Sequence, residues 1–155
     1  MESLFLLIFF ITSFMFGLIL TTQIVSYPLF IKVKSSNFSD YHSDYVNRIS
    51  LIVIPVMLSE FFLAVLLLFY SNSPLVLYNF ILCLLILVTT YLFQVPIHNN
   101  IKFESNKLIF DKLINTNWIR TIFWLLKSMI SFNIIYREVV WILFLLAQQV
   151  ELVNL

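Results

Sequence analysis

Four apolar runs, each close to twenty residues, leave this chain little choice of fold. Crossing about 30 Å of hydrocarbon as a helix takes about 20 residues at 1.5 Å rise each. Leu4–Val25, Ile49–Tyr70, Leu75–Val95 and Asn117–Tyr136 all reach that length. Composition points the same way. Of the 155 residues, 61% are hydrophobic and 11% are charged, where a soluble domain averages roughly 45–50% and about 25%. The expected fold is all-α: a single transmembrane domain over residues 1–155, built as an integral membrane four-helix bundle. Met1-Glu2-Ser3 carries no basic residue, and no small-residue cleavage pattern follows the first run. That run therefore reads as a retained helix, not a removed signal.

The connections are uneven. Long segments join the first run to the second and the third to the fourth, whereas Ser71-Asn72-Ser73-Pro74 alone joins the second to the third. In the stretch "NFSDYHSDYVNRIS", Asn37 or Ser39 is placed to cap a short amphipathic helix. Tyr41, Tyr45 and Ile49 would share one side of it, with His42 beside them. This segment either runs unbroken into the second span or lies flat on the membrane. Val139–Val150 reads as an apolar tail too short to span, at the interface or packed beside the bundle. No internal repeat is evident.

Basic residues set the expected orientation. Lys32, Lys34 and Arg48 lie in or beside the first long loop, and Lys102, Lys107, Lys112 and Arg120 in or beside the second, with only Arg137 opposite. By the positive-inside rule both long loops are cytoplasmic and the N-terminus is outside. A net charge of +1 argues against a nucleic-acid partner. The lipid bilayer is the expected surrounding. Self-association into a homo-oligomer stays open. Cys83, the lone cysteine, reads as a small buried hydrophobe.

Ionisable groups inside a span are costly and mark site candidates. Glu60 lies 11 residues beyond Ile49 and Lys127 lies 10 beyond Asn117. Both helices run in the same direction, so the two sit at similar depth and form an expected buried ion pair. That pair is either structural or a proton-handling carboxylate governed by its lysine. A second set of polar residues gathers toward the cytoplasmic end. Gln94 and His98 share a face of the third helix, provided the helix persists through Pro96. Asn117, Arg120 and Trp124 share a face of the fourth, with Asn117 a candidate N-cap. Tyr27 follows the first helix, and His42 and Tyr45 precede the second.

The expectation is a cytoplasm-facing cavity for a lipophilic small molecule. His98, Arg120 and His42 are its candidate catalytic residues, and Tyr27, Tyr45, Gln94, Asn99, Asn117 and Trp124 its candidate binding residues. His98 would act as acid/base, and Arg120 would grip an oxyanion. No cofactor is required. Non-haem iron held by His42, His98 and Glu60 stays open, as does haem between the two histidines. If one helix carries both His42 and Glu60, however, 18 residues separate them by about 27 Å.

The order "YP" after the first helix, "YHSDYVNRIS" before the second, "QVPIHNNI" after the third and "LINTNWIRTIFW" opening the fourth resembles the anthrone-oxygenase-like family of small four-helix membrane proteins. The matching positions are Pro96 with Asn99, and Asn117, Arg120 and Thr121, with His98 a variation between proline and asparagine. The resemblance covers nearly the first 130 residues and leaves the tail beyond Tyr136 outside. It implies an oxidoreductase of the kind that oxidises polyketide anthrones. The alternative is a non-catalytic membrane protein that binds a lipid, a quinone or a partner subunit.

Overall fold

A computed structural model describes residues 2–101 and 106–153. Their regular structure is wholly helical. It comprises α1 (Glu2–Thr21), a π-helical turn (Thr22–Ser26), α2 (Tyr27–Phe30), α3 (Ser35–Tyr70), α4 (Pro74–Thr89), a second π-helical turn (Thr90–Gln94), α5 (Val95–Ile101) and α6 (Lys107–Val153). Each π turn joins its flanking helices without a break, so the chain forms four rods. Ser3–Phe30, Ser35–Tyr70, Pro74–Ile101 and Lys107–Gln148 are each long and apolar enough to cross a membrane. The protein is a multi-pass membrane helical bundle.

The rods outrun the apolar runs. The segment before the second span is the first part of α3 itself, and the long connection ahead of it shrinks to residues 31–34. Lys34 holds the N-cap position without a side-chain bond, so neither Asn37 nor Ser39 caps this helix. The fourth span likewise begins at Lys107, where Asn106 Oδ1 accepts the Ile109 N–H at 3.0 Å. Asn117 is therefore a mid-helix residue, not a cap. At the other end α6 runs on through Val153, so residues 139–150 continue the fourth helix instead of forming a separate tail. No glycine or proline lies between Asn117 and Leu155 to end it. Lys102, counted above in the second loop, lies outside the described residues.

α1 packs against α3 and α6, and α4 packs against the same two, so the order around the bundle is α1–α3–α4–α6. Along its axis the interior alternates between apolar and polar layers. One end is Phe5, Ile8, Ala64, Leu67, Val76 and Ile134; the middle is Met15, Ile19, Met57, Ile86 and Trp124; the other end is Tyr27, Phe30, Phe38, Ile97, Ile101, Phe110 and Leu113. Thr12, Glu60, Asn79, Lys127 and Ser131 fill the first gap, and Gln23, His42, Gln94, Asn117 and Arg120 fill the second. The outer surface is the reverse. Phe10, Leu51, Phe62, Phe69 and Tyr91 are all exposed there, as suits side chains dissolved in acyl chains.

The two π turns have one cause. In each, the amide after the turn bonds five residues back, Tyr27 to the Thr22 carbonyl and Val95 to the Thr90 carbonyl. A proline follows immediately, at Pro28 and Pro96. A proline ring collides with the carbonyl four residues before it, and the wider turn makes room. A threonine pair straddles the start of each turn and returns its hydroxyls to carbonyls one turn back, from Thr21 to Gly17, Thr22 to Leu18, Thr89 to Leu85 and Thr90 to Ile86. The shared pattern Thr-Thr-x5-Pro at residues 21–28 and 89–96 is a short internal repeat after all. Each turn inserts one residue, re-aiming the face beyond it by about 100°.

Candidate functional site

The re-aimed faces of the first and third rods meet α3 and α6 in the second polar layer. Tyr27 Oη lies 3.0 Å from His98 Nε2, and His98 Nδ1 lies 2.9 Å from His42 Nε2. The helix thus continues through Pro96 and carries His98 inward. The imidazoles stack with centroids 5.2 Å apart, and Phe38 stacks on the far side of His42. Two proton arrangements satisfy this chain. Either Tyr27 donates to His98, which donates to His42, or every donor runs the other way. In the first the phenol oxygen keeps a lone pair to offer; in the second its hydrogen is released for another acceptor. Switching between the two arrangements would pass a proton along the chain.

A second chain orients Arg120. Gln23 Nε2 donates to the Ile114 carbonyl at 3.1 Å, which turns Gln23 Oε1 toward Asn117. Asn117 Nδ2 donates to that oxygen at 2.7 Å, and Asn117 Oδ1 accepts from Arg120 Nη1 at 3.1 Å. One backbone carbonyl therefore sets two amides and a guanidinium in sequence. Arg120 is buried, in electrostatic contact with the Tyr27 and Tyr45 hydroxyls. Among the described residues no carboxylate pairs with it, since Glu60 is taken by Lys127. A buried cation without a counter-charge is costly, and an anionic or polarised oxygen would complement it.

Both chains border a cleft of about 390 Å³. Ile19, Val46, Ile49, Val53, Met57 and Leu87 supply its apolar body, while Tyr27, Tyr45, Gln94, His98 and Arg120 stand at its polar end. Asn99 is exposed at the rim. Ile54, Leu58 and Val95 also line the cleft and are 54%, 50% and 45% exposed. The cleft therefore opens sideways between α3 and α5, through the apolar outer surface of the bundle. Not every anticipated residue reaches it. His42 stands behind His98 and Asn117 behind Arg120, and Trp124 belongs to the apolar layer below.

Glu60 and Lys127 meet in the other polar layer. Lys127 Nζ is 2.5 Å from Glu60 Oε1, which also accepts from Thr12 Oγ1, and neither charged side chain is more than 1% exposed. Asn79 Nδ2 donates to Ser131 Oγ at 2.7 Å beside them. The unbroken α3 puts 18 residues between His42 and Glu60, so these two do not share a ligand set. No group of three His, Cys, Asp or Glu side chains suited to a metal occurs among the described residues. A haem clamped between His42 and His98 would need its ring plane between two imidazoles that here touch directly.

Gln23 and Thr116 are the site residues that sequence reasoning left out. Gln23 was visible as a polar residue on the first helix, and the repeated Thr-Thr-x5-Pro pattern is the signal that pairs its turn with that of Gln94. Thr116 looks like an ordinary helix-surface threonine, and only packing reveals its bond to Gln94. Comparison of the chain with protein-family models, with curated proteins and with solved structures gives no match.

Proposed function

We propose that this protein is a small membrane enzyme that takes a lipophilic molecule from the bilayer into the cleft between α3 and α5 and exchanges a proton with its polar head. The carrying observation is the Tyr27–His98–His42 chain ending beside a buried Arg120 at the polar end of an apolar cleft. Both His98 ring nitrogens are engaged, so the Tyr27 hydroxyl is the atom that meets the substrate, with His98 beside it at the cleft and His42 behind. Arg120 holds the oxygen on which negative charge develops. The basic residues flanking this end support a cytoplasmic orientation for it.

The reaction class suggested by the resemblance needs no more than this. An anthrone-type ketone loses a proton from the methylene opposite its carbonyl, giving an anion stabilised by Arg120. The anion passes electrons to molecular oxygen, and the net change converts the methylene and O2 into a second ketone and water. Oxygen uptake by proteoliposomes supplied with anthrone tests it. Uptake above protein-free vesicles, falling at least about tenfold in Tyr27→Phe and in Arg120→Gln, is the expected result. Uptake equal in both variants and wild type would remove these residues from the chemistry.

A second reading is binding without turnover, of a lipid, a quinone or a partner subunit. It draws on the same occupied His98 nitrogens, because a saturated hydrogen-bond chain also serves a static site. Stoichiometric ligand retention without oxygen uptake would select it.

A further inference from the structure

Three buried polar atoms of cleft-lining residues find no hydrogen-bond partner among the described residues: Tyr45 Oη, Gln94 Oε1 and Arg120 Nε. Their hydrogen-bonding senses are not interchangeable. The Thr116 hydroxyl gives its single hydrogen to the Lys112 carbonyl at 2.8 Å, so toward Gln94 it can only accept, at 3.1 Å from Nε2. That bond sets the amide and leaves Oε1, a pure acceptor, unpaired. On α6 the chain from the Ile114 carbonyl through Gln23 and Asn117 sets the guanidinium and leaves Nε–H, a pure donor. Tyr45 serves in either sense.

A headgroup that satisfies this site must give a hydrogen bond to Gln94 and receive one from Arg120. Carboxylate and phosphate heads only receive. The two carbonyls of a quinone likewise only receive. A hydroquinone does both, because each hydroxyl carries one hydrogen and two lone pairs. The remainder of the ligand is also constrained. The body of the cleft is aliphatic, and it opens past Ile54, Leu58 and Val95 to the apolar outer surface. An apolar tail too long for about 390 Å³ leaves by that opening into the acyl chains.

We propose that the cleft binds the reduced, hydroquinone form of a lipid-tailed quinone in preference to its oxidised form. This rests on the reading of the cleft as a lipophilic-ligand site, not on the anthrone reaction, and names a ligand class for it. A quinone carbonyl set against Gln94 Oε1 leaves a buried acceptor unpaired, a loss worth about tenfold or more in affinity.

The test is anaerobic titration of the full chain in nanodiscs with n-decylhydroquinone, n-decylbenzoquinone and dodecanoate, each alone. The hydroquinone is expected to bind at least about tenfold more tightly than either of the others. In Gln94→Leu that preference should shrink to within about threefold. Thr116→Val serves as a second variant, since Thr116 is only half-buried and its loss frees the Gln94 amide to turn over; the preference should shrink there too. Quinone or dodecanoate binding as tightly as the hydroquinone would overturn the proposal while leaving a lipophilic cleft in place. A preference undiminished in both variants would overturn it as well. If none of the three binds, the lipophilic-cleft reading falls together with it.

Discussion

Breaking the Glu60–Lys127 pair on one side only should destabilise the bundle far more than removing both charges together. Lys127 Nζ and the Thr12 hydroxyl both meet Glu60 Oε1, in a layer closed above and below by apolar side chains. Lys127→Met keeps the volume of the side chain but strands a buried carboxylate. Glu60→Gln strands a buried ammonium. Each single change is expected to cost about 3–5 kcal/mol. The double variant strands neither charge, and the amide oxygen that Glu60→Gln introduces still accepts from Thr12, so it should lie within about 2 kcal/mol of wild type. The coupling read from the cycle is then at least about 4 kcal/mol. Unfolding from mixed micelles by increasing dodecyl sulfate, followed by tryptophan fluorescence, reads all four proteins. Trp124 is the useful reporter, because it is buried with its ring 5.8 Å from Lys127 Nζ, whereas Trp118 and Trp141 are exposed. Single changes costing under about 1 kcal/mol, or changes additive within about 0.5 kcal/mol, would refute a desolvated pair.

Other expectations follow from the same geometry. Asn117→Ala leaves Gln23 Oε1 and Arg120 Nη1 without their shared partner and should cost about 1–3 kcal/mol in the same unfolding assay, with ligand affinity lost as Arg120 drifts. His42→Ala removes the inner member of the Tyr27–His98–His42 chain without touching the cleft, so ligand binding should persist while anthrone-dependent oxygen uptake falls about tenfold or more. Cys83 is buried and free, so a membrane-impermeant maleimide should leave the native chain unlabelled until it unfolds. In a Cys83→Ala background, Asp40→Cys should label only after the cytoplasmic face is opened and Asn72→Cys in intact cells; the reverse pattern would invert the orientation.

Much of the fold could be read from the chain because its causes are local. Apolar runs of bilayer length, one glycine and a four-residue link between Tyr70 and Leu75 suffice for four helices and their antiparallel middle pair. The depth match of Glu60 and Lys127 was legible for the same reason, since a helix converts sequence separation into height. Helix ends were less legible. The expected cap at Asn117 and break at Tyr136 came from where hydrophobicity stops, yet backbone hydrogen bonding carries α6 past both, from Asn106 onward. Hydropathy reports where lipid ends, and a helix stops only where its hydrogen bonds do.

The site divides along the same line. Residue types and their faces on single helices placed Tyr27, Gln94, His98 and Arg120 at one end of the bundle, because spacing along one helix is a property of the chain. Which atoms touch is a property of rods meeting. The Tyr27–His98–His42 order, the amide chain that aims Arg120 and the sideways opening between α3 and α5 all depend on two π turns that Pro28 and Pro96 impose. Those turns rotate faces by a single residue's angle. Sequence alone determined that this is a four-helix membrane protein with a polar interior; only the packed rods decided which polar groups bond one another and which are left for a ligand.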